Sequence, residues 1–202
     1  MKAIVLAMLL GIAVVAPAKA ADPRYPDWPC VQAKVPEISI AAVWSGPPID
    51  DVLDNWRSDS SVRDLVARLA ARRTDIETAQ QAVSDFVTGD EAQRQMRAKL
   101  LFAGLFVTLN AERTQIMDGL ERFQRNQIGF ADRIRSEIQT LRALQDSENS
   151  DPGKAEALST QLQWDQRMFE ERRRTTSYAC EVPVLIERRL FALARAIEQS
   201  LQ

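Results

Sequence analysis

Histidine is absent from the 202 residues, and cysteine occurs only twice. Without imidazole the chain lacks the commonest general base near neutral pH, the usual catalytic triads and most zinc sites. Glycine is scarce, at seven residues, and forms no phosphate-cradling loop. No two carboxylates are set as an acid–base couple: Asp50, Asp51 and Asp54 stand at a predicted helix start, where negative charge is favourable in any case. Neither sign of charge dominates. The 26 basic and 28 acidic side chains are interspersed, with a net charge of −2, so no chain-wide field draws nucleic acid or an anionic membrane. The sequence therefore assigns no catalytic residue, no metal and no cofactor.

Long apolar runs are also missing, apart from two short ones. Lys2, the apolar stretch Ala3–Ala16 and the small residues of Ala18-Lys19-Ala20 have the layout of a secretory signal over residues 1–20. A span takes roughly 20 apolar residues, and this stretch is shorter. The expected mature chain starts near Ala21, is periplasmic or secreted from a bacterium, and inserts in no membrane after cleavage. The second run, "LLFAGLFVTL" (Leu100–Leu109), is apolar all round, as a buried helix is.

Residues 21–58 hold six of the nine prolines, together with Tyr25, Trp28 and Trp44. Each proline favours an extended residue before it. This region reads as an extended strap packed on helices, with loose alternation through Val35, Ile38 and Ile40, followed by a short helix over Ile49–Arg57. Residues 59–202 then read as helical. Ser61 with Asp64 resembles a capping box, and apolar positions from Val62 to Phe86 keep helical spacing to Thr88. Gly89 and Asp90 suit a tight reversal. A proline-free pattern runs from Asp90 to about Ser147, with Gly119 and Gly129 as weak points and a possible break at Asn126–Gly129. Asp151-Pro152 starts a last helix that extends to Leu201.

The steps of three and four through Ile116, Leu120, Phe123, Gln127, Phe130 and Ile134, repeated through Leu158, Leu162, Asp165, Phe169 and Arg172, are those of two helices in an antiparallel coiled-coil hairpin. Folding that hairpin at Ser150 sets Phe130 against Phe169 and Cys180 level with Gly119. Folding the reversal at Gly89 sets Gly119 level with Asp59. The predicted fold is all-α: a three-helix body (Ser61–Thr88, Asp90–Asp118, Ala179–Leu201), an arm over about residues 119–178, and a shoulder where three helices become two. The strap must cross that shoulder. In an exported chain with two cysteines, a Cys30–Cys180 disulfide pinning it there is the expectation.

The shoulder also gathers the candidate binding residues. Arg172 and Arg173 in "EERRRTT" face Gln127 and Arg125, and arginine suits carboxylates and phosphates. Trp28, Trp44 and Tyr178 offer an aromatic pocket beside them. The competing reading makes the arginines a solvated face with intrahelical pairs to glutamate, and the tryptophans a lid under the strap. The leading functional expectation is a non-enzymatic interaction or scaffold protein of the periplasm. Its arm would dock another periplasmic protein or a second copy of itself. The alternative is a ligand-binding or accessory enzyme subunit with its site at the shoulder.

Overall fold

Four aspartates set where the long helices begin. The computed structural model describes residues 22–148 and 151–202, so the signal-like segment lies outside the described residues. Its helices are α1 (Ile40–Val43), α2 (Ser60–Ala70), α3 (Ile76–Phe86), α4 (Glu91–Asp146), α5 (Pro152–Ala179) and α6 (Glu181–Gln199), with a 3₁₀ turn at Trp56–Ser58. No strand occurs among the described residues. The first-turn N–H groups of a helix have no partner within it, and an aspartate just before the helix supplies one. The Asp59 carboxylate accepts from the Ser61 and Val62 N–H groups at 2.8 and 3.1 Å, and Asp75 accepts from Thr78 at 2.8 Å. Asp90 accepts from the Gln93 N–H at 2.9 Å while the Gln93 side chain accepts from the Asp90 N–H at 3.2 Å. Asp151 takes the Gly153 N–H at 2.9 Å. Ser61, expected as a cap, instead donates its hydroxyl to Asp59 at 2.6 Å.

The expected single helix from Ser61 to Thr88 is two helices, α2 and α3, separated by residues 71–75. Side chains compete for the backbone there. The Thr74 hydroxyl donates to the Arg68 carbonyl at 3.0 Å, Arg189 Nε of α6 donates to the Leu69 carbonyl at 2.6 Å, and Asp75 opens a new helix. Burial holds the Arg189 guanidinium below its usual pKa. As a result α2 packs on α4 while α3 packs on α6, and the body has four helices rather than three.

Two other boundaries differ from expectation. Residues 49–57 form turns ending in the 3₁₀ segment instead of a short helix, and Ile40–Val43 coils into α1 instead of staying extended. The last helix breaks at Cys180. Pro183 has no N–H to offer the Ala179 carbonyl, and its ring crowds that carbonyl, so the chain bends and restarts as α6. In contrast, α4 runs 56 residues without the break considered near Gly129, about 84 Å at 1.5 Å per residue.

The apolar stretch expected to be core is core: Leu101, Phe102, Ala103, Leu105 and Leu109 are fully buried, against Val62 and Leu69 of α2, Val83 of α3 and Ile186, Leu190 and Leu193 of α6. The reversal before α4 uses Gly89 at φ +110°, where a side chain would be strained. Beyond the body, α4 and α5 form the arm. Its small core is Phe130, Ile134 and Leu162, flanked by Ile138, Leu141, Leu158 and Phe169. Phe130 and Phe169 meet as expected, with ring centres 6.3 Å apart. None of the helices of the described residues is long and apolar enough to cross a membrane.

Candidate functional site

The strap is held at the shoulder by four separate grips. Cys30 and Cys180 are disulfide-bonded, with Cα atoms 5.5 Å apart, and Cys180 is the residue at which α5 gives way to α6. This bond is in keeping with an oxidising, extracytoplasmic compartment. Asp27 pairs with Arg125 of α4 at 3.0 Å. Lys34 pairs with Glu121 of α4 at 2.5 Å, and its ammonium lies 4.9 Å from the centre of the Tyr25 ring.

The fourth grip is Arg113, only 2% exposed. Its Nε donates to Glu187 Oε1 at 2.6 Å, while Nη1 and Nη2 donate to the carbonyls of Pro36 and Val35 at 3.2 and 2.5 Å. One guanidinium thus joins α4, α6 and the strap. A buried arginine needs this degree of pairing, since an unpaired buried charge costs several kcal/mol. Arg113 was visible in the sequence as a charged residue on the inward spacing Leu109, Arg113, Met117 and Leu120, but its partners, far away along the chain, were not.

Beside the disulfide lies a cleft of about 530 Å³ between the strap and the α4–α5 pair. Val31, Ile128, Ala131 and Phe169 provide an apolar wall; Gln124, Arg173, Thr176 and Glu181 provide polar groups. Gln127 lines it as well, and its Nε2 donates to the Phe169 carbonyl at 3.1 Å across the arm seam. A second, smaller and almost wholly apolar cleft of about 250 Å³ lies against Ile116, Gly119, Leu120, Phe123, Thr175 and Ala179.

The six candidate residues do not come together. Trp44 stacks on Phe102 in the body core, ring centres 4.2 Å apart and planes within 9°. It is core, and Trp56 also is buried. Tyr178 is 74% exposed and lines neither cleft. Trp28 lies at the shoulder but folds back on its own strap, donating Nε1–H to the Gln32 carbonyl at 2.7 Å. Arg125 is engaged by Asp27, and Arg172 lies over the Phe130 ring at 4.9 Å. Of the six, only Arg173 lines the larger cleft, and it is paired with Glu170 at 3.0 Å. Arg174 pairs similarly with Glu171 at 3.5 Å. The intrahelical pairs to Glu170 and Glu171 weighed from sequence are therefore present, the one to Glu121 is replaced by Lys34 of the strap, and Trp44, stacked in the body core, joins no aromatic pocket at the shoulder.

The arrangement can clamp, orient and present surfaces. Among the described residues no group of three or more cysteine or acidic side chains is placed to hold a metal ion. No protein family, curated protein or solved structure matches the chain.

Proposed function

We propose that this is a non-enzymatic scaffold of the bacterial periplasm that works through its arm, exported by the signal-like segment at residues 1–20. One observation carries the reading: α5 exposes Trp164 and Met168, at 59% and 43%, on a projecting hairpin whose own seam is already filled by Phe130, Ile134 and Leu162. An indole left in water on a rigid helix is unusual as structure and common as a contact residue, since tryptophan is enriched among the residues that dominate interfaces. The clamped shoulder serves this role by fixing the direction in which the arm projects. The test is crosslinking in intact cells with capture of the tagged protein. Crosslinked peptides should map to residues 119–178 and be lost from a chain with Trp164→Glu and Met168→Glu; links that survive this double substitution sink the proposal.

The larger cleft favours a second reading, a ligand-binding subunit. It joins an apolar wall to Arg173, Gln124 and Thr176, the mixture that holds small ligands. Under this reading Arg173→Ala abolishes binding of a small ligand, whereas Trp164→Glu with Met168→Glu, outside the cleft, leaves it intact.

A further inference from the structure

The smaller cleft at the shoulder offers a ligand apolar surface and a single charge. Ile116, Leu120 and Phe123 of α4 and Ala179 of α5 line it. Thr175 and Thr176 also border it, but their hydroxyls donate one turn back, to the Glu171 carbonyl at 3.0 Å and the Arg172 carbonyl at 2.8 Å. Neither hydroxyl is left to hold a ligand. The remaining wall is Gly119, which has no side chain. A Cβ built there would meet one side-chain atom within 4 Å, Nη2 of Arg122 at 3.8 Å.

The Arg122 guanidinium therefore reaches the edge of this apolar space. It takes part in none of the ion pairs of the described residues, and no carboxylate comes within 4 Å of it, Asp118 one turn earlier included. Nearby Glu121 and Arg125, in contrast, are taken by Lys34 and Asp27 of the strap. A free guanidinium is suited to a carboxylate, which it binds through two parallel hydrogen bonds.

Size and charge together select the ligand. The cleft measures about 250 Å³, below the roughly 300–1,000 Å³ that drug-sized ligands occupy. An apolar cavity of about 150 Å³ holds benzene, and on that scale this cleft holds roughly ten carbon atoms. From Ile116 to Phe123 is roughly 10 Å along the helix, the length of an extended chain of roughly eight carbons. We infer that the cleft binds a free medium-chain fatty carboxylate, its alkyl chain lying over Gly119 and its carboxylate on Arg122. A lone arginine balances one negative charge, and a two-chain lipid would leave its second chain in water. The side chain of a docked protein would bring no charge to Arg122. This site is separate from the Trp164 face and from Arg173, and goes beyond both readings above.

The test is calorimetric titration of the full mature chain, disulfide intact, with hexanoate, octanoate and decanoate. Concentrations run to roughly 5 mM, because a single short chain binds weakly. One site is expected, with affinity rising about two- to four-fold per methylene, the gain from burying half or all of each. Gly119→Leu fills the cleft and should weaken octanoate by roughly tenfold or more, the loss of several methylene contacts. It should not lower the melting temperature, because leucine is the better helix former and the position is open. Arg122→Gln should weaken octanoate by about threefold, as for an exposed ion pair, and remove the preference for octanoate over octylammonium. No binding in this range, an affinity indifferent to chain length, octylammonium bound as tightly as octanoate, or octanoate binding that survives Gly119→Leu would each overturn the inference. Octanoate lost in Arg173→Ala but kept in Gly119→Leu would place the ligand in the larger cleft instead. Phospholipid vesicles bound by a chain that takes no octanoate, and released by Gly119→Leu, would assign the cleft to a bilayer lipid and overturn the free acid.

Discussion

Helix α4 passes through both halves of the molecule, and two of its glycines show how different those halves are. A Cβ built on Gly104, in the body, would stand 2.6 Å from Val66 and 2.8 Å from Trp56. A Cβ on Gly129, in the arm, would have no neighbour within 4 Å. In the body the helix is surrounded by α2, α6 and the Trp56 turn, and the apolar residues of Leu101–Leu109 are buried all round it. In the arm, beyond the strap's grips on Glu121 and Arg125, it packs on α5, so only its seam is buried. Stability in the body comes from packing on every side, while stability in the arm rests on a single line of contacts between two helices. One continuous helix therefore crosses from a well-supported region to a lightly supported one, and the strap crosses at the same level.

The strongest way to break this comparison is to remove the stitch at the boundary. Cys30 and Cys180 are 150 residues apart in sequence, and closing a loop of that length restricts the unfolded chain by about 4–5 kcal/mol. Cys30→Ser with Cys180→Ser should lower the free energy of unfolding by that order, read as a lower denaturant midpoint. The strap should stay docked through Arg113, with amide exchange rising first in residues 22–35. A midpoint unchanged within error would mean that the bond constrains nothing the rest of the fold does not.

Cavities sharpen the comparison. Phe102→Ala empties a fully buried site stacked on Trp44 and should cost about 3–5 kcal/mol of global stability. Leu162→Ala, in the arm core, should cost about 2 kcal/mol, felt as faster exchange in α4 and α5 beyond Gly119 while the body melts almost as before. Equal losses of global stability would show that arm and body unfold as one unit. Gly104→Ala belongs to the same series: the added methyl meets Val66 and the Trp56 ring and should cost about 1–3 kcal/mol by overpacking.

The helix starts contribute less, and with a defined pH dependence. Hydrogen bonds from the Ser61 hydroxyl and the Val62 and Ser61 N–H groups hold the Asp59 carboxyl below its usual pKa, and bonds from Thr78 do the same for Asp75. A carboxyl whose folded pKa lies below its unfolded value of about 3.9 contributes stability that is complete above that value and is lost as pH falls through the folded pKa. Stability should therefore decline below about pH 4. Asp59→Ala should cost about 1 kcal/mol at neutral pH and flatten the acid limb of the stability curve; an unaltered limb would show that other carboxylates govern it.

Features with a local cause were legible in the sequence. The arm register, the reversal at Gly89 and the apolar centre of the body follow from spacing and turn chemistry, and so does the disulfide once folding levels Cys180 with the strap. The break at Ala71–Asp75 had local signals in Thr74 and Asp75, but its third cause is distant. Arg189, more than a hundred residues on, takes the Leu69 carbonyl, while the apolar spacing continues through the gap. The break at Cys180 had a local signal in Pro183, outweighed by an uninterrupted apolar rhythm. The candidate site was legible only in part. Arg173 and Trp28 lie at the shoulder, but an aromatic residue in a strap serves as core or as lid, and spacing does not separate the two. Trp44 went to the core because Phe102 offered it a face to stack on.

The smallest effect has the opposite sign. Glycine inside a helix is worse than alanine by about 0.5–1 kcal/mol, because the unfolded chain gains more freedom from it. At Gly104 that gain is overwhelmed by the clash. At Gly129 nothing opposes it, since the space above the Cα is open and the backbone is already helical. Gly129→Ala should therefore stabilise the arm by up to about 1 kcal/mol and slow amide exchange in its neighbours. The same substitution 25 residues apart on one helix thus separates the two regions by sign alone. If Gly129→Ala destabilises the chain instead, the open face of α4 at this point is covered in solution, and the arm is less lightly supported than its own contacts imply.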